Sequence, residues 1–223
     1  MPLLFLRRCG WVGLMACALA ACGSHHKAPP SFTASGYIAD RGAVRLWRKD
    51  DETHQTVNLV SVYSPYQGGN TVVTRYQYLQ NDVRQINQTQ SGSHPEIVQI
   101  RFDEQGNASF MQRQRDGQRE KLSDDALALY QFEAKRLLDI SQSLRAGKVI
   151  LIQGQWQNGM LTTCQGTVVD PDFDERAASW ITARARHSTG ALGVAWLEAP
   201  EGTQLLLVAN ENFCHWQPKK SEL

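Results

Sequence analysis

Short runs of β-branched and aromatic residues dominate the chain from residue 32 to residue 115, and Gly, Asn, Asp and Pro separate them. This spacing is typical of antiparallel strands joined by tight turns. In one run Val98, Ile100 and Phe102 alternate with polar residues, so one face of that strand should be buried. The pattern predicts a β-meander with strands at residues 32–39, 43–48, 57–63, 71–79, 83–89, 96–102 and 108–113.

A helical period replaces this alternation after Ser123. Ser123 can accept backbone hydrogen bonds as an N-cap, and Asp124 and Asp125 suit the positive end of the helix dipole. Gly147 can end the helix. We therefore expect a helix over residues 124–145, with one apolar stripe packed into the core. That stripe contains Leu127, Tyr130, Ala134, Leu137, Leu138 and Leu144.

The last third of the chain returns to strands. Asn158 and Gly159 both tolerate a positive φ, so together they predict a tight hairpin turn. The elements predicted in this part are strands at residues 149–156, 161–169, 192–197 and 204–209, and a shorter helix at residues 175–186.

The composition is that of a globular protein. The chain has 223 residues, of which 42% are hydrophobic and 20% charged, which is enough apolar area to build a core. Successive strands lie too close in sequence for helical crossovers, so they should pair antiparallel. We predict a single α+β domain over residues 32–223: mainly antiparallel sheet, in a meander and hairpins, with one long and one shorter helix.

The N-terminus carries the features of a secretory signal. Arg7 and Arg8 precede an apolar run over residues 10–21. This run is too short for a permanent transmembrane helix and ends in small residues, as signal peptides do. We therefore predict a signal peptide at residues 1–21.

The end of the apolar run indicates a lipid anchor. Residues 19–22, Leu-Ala-Ala-Cys, resemble the lipobox of bacterial lipoproteins, in which the cysteine is acylated and becomes the new N-terminus. We expect residues 22–31 to form the lipidated N-terminus and a polar tether. Gly23 stands where an Asp usually signals retention in the inner membrane of Gram-negative bacteria. The protein is therefore expected at the periplasmic face of the outer membrane, where the lipid on Cys22 would hold it.

The cysteine count separates lipidation from its alternative, ordinary cleavage after Ala20. Only Cys22, Cys164 and Cys214 remain once the signal peptide is removed. Ordinary cleavage would leave an odd thiol in an oxidising compartment, whereas lipidation of Cys22 leaves an even pair. We predict a disulfide between Cys164 and Cys214, closing a loop of about 50 residues and contributing about 4 kcal/mol.

The charge balance gives no electrostatic case for nucleic acid. Without Arg7 and Arg8, Lys plus Arg fall from 23 to 21 against 22 Asp plus Glu, a net charge of −1. One basic stretch favours a solvated strand end, with contact to an anionic envelope polymer or lipid headgroup as the alternative. It contains Arg113, Arg115, Arg119 and Lys121.

Four carboxylates, Asp170, Asp172, Asp174 and Glu175, cluster before the shorter helix. Calcium binds such oxygen ligands, but the EF-hand pattern fails because Glu175 stands where glycine is needed. An acidic helix start is the simpler interpretation. No other residue spacing indicates a metal or a cofactor.

Two further features could carry chemistry. His215 could activate a thiolate at Cys214, but neighbours in a strand point to opposite faces, and the two cysteines lack the redox spacing Cys-x-x-Cys. Tyr76 and Tyr78 share a strand face and could stack on a ligand, although ordinary sheet packing is the more common role of such pairs.

Three longer stretches carry a family resemblance: FDEQGNASFMQRQ at residues 102–114, VILIQGQWQNGMLTTCQG at residues 149–166 and LLLVANENFCHW at residues 205–216. They resemble the YjaH-like family of enterobacterial lipoproteins, a domain of unknown function. The resemblance implies a Gram-negative envelope setting. It brings no catalytic residue, cofactor or ligand onto positions of this chain.

Together these features favour a non-enzymatic accessory or binding lipoprotein that presents its domain to an envelope protein partner. No small-molecule ligand is indicated. The aromatic residues expected at the interface are Trp47, Tyr63, Tyr66, Tyr76 and Tyr78. The alternative is an envelope hydrolase, whose site would be built from the carboxylates between Asp170 and Glu175.

Overall fold

The computed structural model describes residues 30–223. The predicted signal peptide, the predicted lipidation site Cys22 and most of the tether therefore lie outside the described residues. Within residues 30–223, no helix combines the length and apolar character needed to span a membrane.

The first half of the chain forms an eight-stranded antiparallel sheet in which every strand pairs with its neighbours in sequence. The predicted meander is therefore confirmed. Its last strand was not predicted, because three polar residues carry no alternation. The strands are β1 (Phe32–Ala39), β2 (Gly42–Asp51), β3 (Thr56–Pro65), β4 (Val72–Leu79), β5 (Asp82–Gln90), β6 (Glu96–Phe102), β7 (Ala108–Arg115) and β8 (Gln118–Glu120).

The long helix α1 (Asp124–Ala146) packs on one face of this sheet. It begins at its predicted cap, where Ser123 Oγ accepts a hydrogen bond from the backbone N–H of Ala126 at 3.2 Å. Ala134, Leu137 and Leu138 are buried against the inward side chains of the strands, as the stripe predicted. The three alternating apolar residues of β6 lie in the same core.

The second half forms a five-stranded antiparallel sheet in the order β11-β10-β9-β12-β13. One predicted strand, residues 161–169, is split. A turn separates its halves because Gly166 adopts a φ of +84° and Thr163 N–H donates to Thr167 O at 2.8 Å. The strands are β9 (Ile150–Gln157), β10 (Met160–Thr163), β11 (Val168–Val169), β12 (Leu192–Ala199) and β13 (Gly202–Ala209).

The two sheets pack face to face. Trp47 and Val60 of the first sheet share a core cluster with Leu151 and Leu197 of the second. The second helix, α2 (Glu175–Arg186), covers the opposite face of the second sheet through buried Ile181. The layers therefore run α1, eight-stranded sheet, five-stranded sheet, α2, which confirms the predicted α+β class with its mainly antiparallel sheets and two helices.

The C-terminal segment corrects one sequence-based expectation. Phe213–Trp216 forms a 3₁₀ turn, not a strand, with Asn212 Oδ1 accepting from the N–H of Cys214 at 3.0 Å. A second 3₁₀ turn lies at Lys220–Glu222. Phe213 is fully buried, so this turn places a large aromatic side chain between the two sheets.

Candidate binding groove

The carboxylate cluster is a helix start. Asp170, Asp172, Asp174 and Glu175 are all exposed, and Asp174 Oδ1 caps α2 by accepting from the N–H of Ala177 at 2.7 Å. They do not form the pocket of two or more carboxylates that the hydrolase alternative requires. Within residues 30–223, no group of three or more His, Cys, Asp and Glu side chains is arranged to hold a metal ion.

Cys164 and Cys214 form a disulfide with a Cα–Cα distance of 5.4 Å. It fixes the 3₁₀ turn after β13 to the turn after β10. Because both sulfurs are bonded to each other, neither is a thiolate that His215 could activate. His215 is exposed, and its Nε2 lies 3.4 Å from Asn212 Nδ2.

The predicted aromatic interface is wrong for three of its residues. Trp47, Tyr76 and Tyr78 are only 1%, 5% and 2% exposed, because Trp47 lies between the sheets and the tyrosines face α1. The tyrosine rings stack with centroids 6.1 Å apart, and Tyr78 Oη donates to Ala134 O at 2.7 Å. Burial raises the pKa of both phenols well above the ordinary value. They are core residues and not a ligand platform.

The remaining two predicted aromatics lie nearer the surface. Tyr63 is half-buried, whereas Tyr66 is 45% exposed. Burial of part of its ring raises the pKa of Tyr66. Tyr66 therefore remains a candidate interface residue.

Two of the four residues of the basic stretch are paired with one carboxylate. Glu96 contacts Arg113 at 3.4 Å and Arg115 at 2.8 Å across the β6–β7 pair. Arg119 and Lys121 are exposed. The stretch behaves as the solvated strand end that the sequence favoured.

A groove with exposed aromatic walls runs along β13. This strand is at the end of its sheet, so in the described part of the chain its outer backbone edge pairs with no strand. Pairing with β12 shifts register at Ala195/Trp196, which leaves Leu206 as an extra residue in β13. The carbonyl of Leu206 accepts a hydrogen bond from Tyr66 Oη at 3.4 Å, so this edge lies next to the turn that follows β3 in the first sheet.

One wall of the groove is a stripe of α2. Arg176, Trp180 and Arg184 are spaced by four residues and therefore share one helix face. Trp180 is 57% exposed, an unusual position for so large an apolar surface. On the opposite wall, Ile38 is 48% exposed and Tyr66 is 45% exposed.

Two adjoining cavities form this groove. One, of about 540 Å³, lies between Ile38, Trp180 and the first half of β13. The other, of about 460 Å³, lies between Tyr66, Arg184 and the second half. Trp180 and Leu205 line both, so the groove is continuous along the strand.

The sequence did not single out Trp180. A tryptophan on a helix with one buried apolar position looks like an ordinary partly covered surface residue. Its exposure follows from the way α2 packs on the second sheet through Ile181, so residue spacing alone could not identify it. Arg176 and Arg184 gave no signal either, because their relation to β13 depends on the tertiary fold.

Residues 34–219 match a family described as a protein of unknown function, DUF1481. The chain belongs to the DUF1481 family. It is 43% identical over 221 residues to the uncharacterized protein YjaH of Escherichia coli strain K12, covering 98% of this chain and 94% of the E. coli protein. The predicted resemblance is thus confirmed. No solved structure matches the chain. Every residue named in the groove lies within the matched DUF1481 segment.

Proposed function

We propose that this chain is a lipid-anchored envelope lipoprotein whose folded part is a non-enzymatic accessory module that binds a polypeptide partner. The lipobox-like residues 19–22 and the signal features before them support the anchor. Gly23 supports the periplasmic face of the outer membrane as its location. The pairing of Cys164 with Cys214 supports an oxidising compartment.

The groove along β13 is the observation that carries the binding role. Exposed aromatic residues are enriched at protein interfaces because they bury a large area at little entropic cost. Trp180 and Tyr66 face the same strand edge from opposite walls. A free edge beside large apolar side chains is a surface that proteins normally cover or blunt.

In-cell photo-crosslinking tests this function. A photoreactive phenylalanine analogue at position 180 should capture a discrete envelope protein in the native membrane. The matched control is position 132, because Phe132 is 62% exposed but lies on α1, away from the groove. Capture at position 180 and not at position 132 supports the proposal. Equal capture at both positions, or at neither, overturns it.

The anchor has a separate test. Mass spectrometry of the N-terminal peptide, taken from the membrane fraction, should find acyl chains on Cys22. Cys22→Ser should release the chain from that fraction. An unmodified N-terminus beginning after Ala20 would establish ordinary cleavage and remove the anchor from the proposal.

A further inference from the structure

We infer that the groove takes an extended polypeptide segment laid along β13, in which acidic residues stand two positions before and two positions after an apolar residue. This inference rests on the proposed polypeptide-binding function and names the partner's conformation and sequence class.

The extended conformation follows from the floor of the groove. β13 offers an unpaired strand edge among the described residues, and such edges accept an added strand through main-chain hydrogen bonds. The extra residue Leu206 divides that edge, so regular pairing is confined to Gly202–Leu205 and Leu207–Ala209. Over residues 205–208 the side chains of β13 pack into the cores on both faces of the sheet, so its edge is what this half of the strand leaves open.

The spacing of the α2 stripe matches the spacing of an extended chain. Arg176, Trp180 and Arg184 succeed one another every four residues, about 6 Å apart along the helix axis. Alternate side chains of an extended segment point to one side and lie about 6.6 Å apart. Three alternate side chains of the partner can therefore meet Arg176, Trp180 and Arg184 in turn.

The charges of Arg176 and Arg184 favour acidic side chains at the two outer contact positions of the segment. Neither Arg176 nor Arg184 makes a salt bridge with any residue that the structure describes. Asp174 lies at the Arg176 end, and one of its oxygens is engaged by the N–H of Ala177. Because that carboxylate offsets part of the positive charge, Arg184 should contribute more to acidic recognition than Arg176 does.

Trp180 favours an apolar side chain at the central contact position of the segment. It lines both cavities, and the cavity at the Arg176 end places Ile38 on the opposite wall. An apolar side chain at the centre of the segment would face α2 and pack on Trp180, and exclusion of water there would strengthen the flanking charge pairs.

Defined peptides test the inference on the full chain purified in detergent. The test peptide has seven residues with blocked ends, Leu at position 4, Glu at positions 2 and 6, and Ser or Thr elsewhere. A permuted peptide of the same composition carries Glu at positions 3 and 5, which places the charges on the opposite side from Leu. A third peptide replaces both Glu by Lys. Titration calorimetry gives affinities, and hydrogen exchange reports on the β13 amides.

We expect the test peptide to bind about ten-fold more tightly than the permuted one and to slow exchange of amides within Gly202–Ala209. Arg176→Glu with Arg184→Glu should weaken it about ten-fold, because two attractions become repulsions, and should restore binding of the Lys peptide. Arg184→Glu alone should weaken binding of the test peptide more than Arg176→Glu alone does. The control Arg186→Glu, on the same helix but outside the groove, should change nothing.

Three results overturn the inference: equal affinity for test and permuted peptides, no rescue of the Lys peptide by the reversed arginines, or no measurable peptide binding. None of them bears on the crosslinking result at position 180. A partner captured there despite such a result would bind the groove in another conformation, so failure of the inference and failure of the proposed function remain distinguishable.

Discussion

Arg45 donates a 2.8 Å hydrogen bond from Nη1 to Oε1 of Gln153, and this contact joins the eight-stranded sheet to the five-stranded sheet. Arg45 is fully buried, its Nη2 donates to Ser64 Oγ at 2.8 Å, and its guanidinium lies 4.7 Å from the centre of the Phe213 ring. Burial lowers the pKa of Arg45 to about 10, and Glu211 partly opposes the shift. Neutral acceptors and an aromatic ring therefore hold a charge that makes no salt bridge among the described residues.

Gln153→Leu should destabilise the fold by about 3 kcal/mol, because it leaves a buried charged donor without its acceptor. Adding Arg45→Met should recover part of that loss, since the double variant buries neither the charge nor an orphaned amide. Urea unfolding of the two single variants and the double variant measures this coupling. Additive losses in the double variant would mean that the two side chains do not act as a pair.

Asp50→Asn should lower the free energy of unfolding by about 2–3 kcal/mol, because the Asp50 carboxylate pairs with two arginines. Its oxygens lie 2.7 Å from Arg48 Nη2 and 2.7 Å from Arg145 Nη1, so it ties β2 to the end of α1. The matched control is Asp51→Asn, because the Asp51 side chain is 41% exposed and its ion pair is with the exposed His54. An Asn there keeps an oxygen that can accept from the N–H groups of Thr53 and His54, so the change should be small. Thermal unfolding compares the two, and equal changes in Tm would contradict this role.

Local rules predicted those elements whose pattern and end signals agree. β1, β6 and α2 have the bounds that alternation, helical period and capping residues predicted. Trp47 was misplaced because its strand is covered on both faces, so its burial depends on the second sheet, which begins about a hundred residues later in sequence. A strand viewed alone cannot show whether its second face meets water or another sheet.

The groove could not be predicted for the same reason. Its walls come from the end of β1, the turn after β3 and one face of α2, and nothing local relates these segments. The sequence supplied one of its aromatics, Tyr66, through residue type alone. The free edge of β13 arises from the order of strands in the second sheet, and the exposure of Trp180 arises from the way α2 packs on that sheet through Ile181.

Asp174→Ala should destabilise the protein by about 1 kcal/mol, because it removes the side-chain acceptor that caps α2. Asp172→Ala should stay within about 0.5 kcal/mol, since Asp172 is exposed and makes no hydrogen bond within the described part of the chain. Asp174→Asn should retain most of the capping effect. Chemical unfolding in the presence and absence of calcium distinguishes the roles, because a calcium site would make stability depend on the ion and on both carboxylates.

Loss of the Cys164–Cys214 disulfide should reduce stability by about 4 kcal/mol, the chain-entropy contribution of a closed loop of about 50 residues. The bond also fixes the turn that holds Phe213 beneath Arg45, so part of the loss should arise where the two sheets meet. The expected result is that Cys164→Ser with Cys214→Ser lowers Tm, and that a reductant lowers the Tm of the unaltered chain to the same value. The reductant should leave the Tm of the double variant unchanged, because that variant lacks the Cys164–Cys214 disulfide. If Arg45→Met removed most of the reductant's effect, the disulfide would act mainly by seating Phe213. An undiminished effect would assign its contribution to the unfolded chain instead.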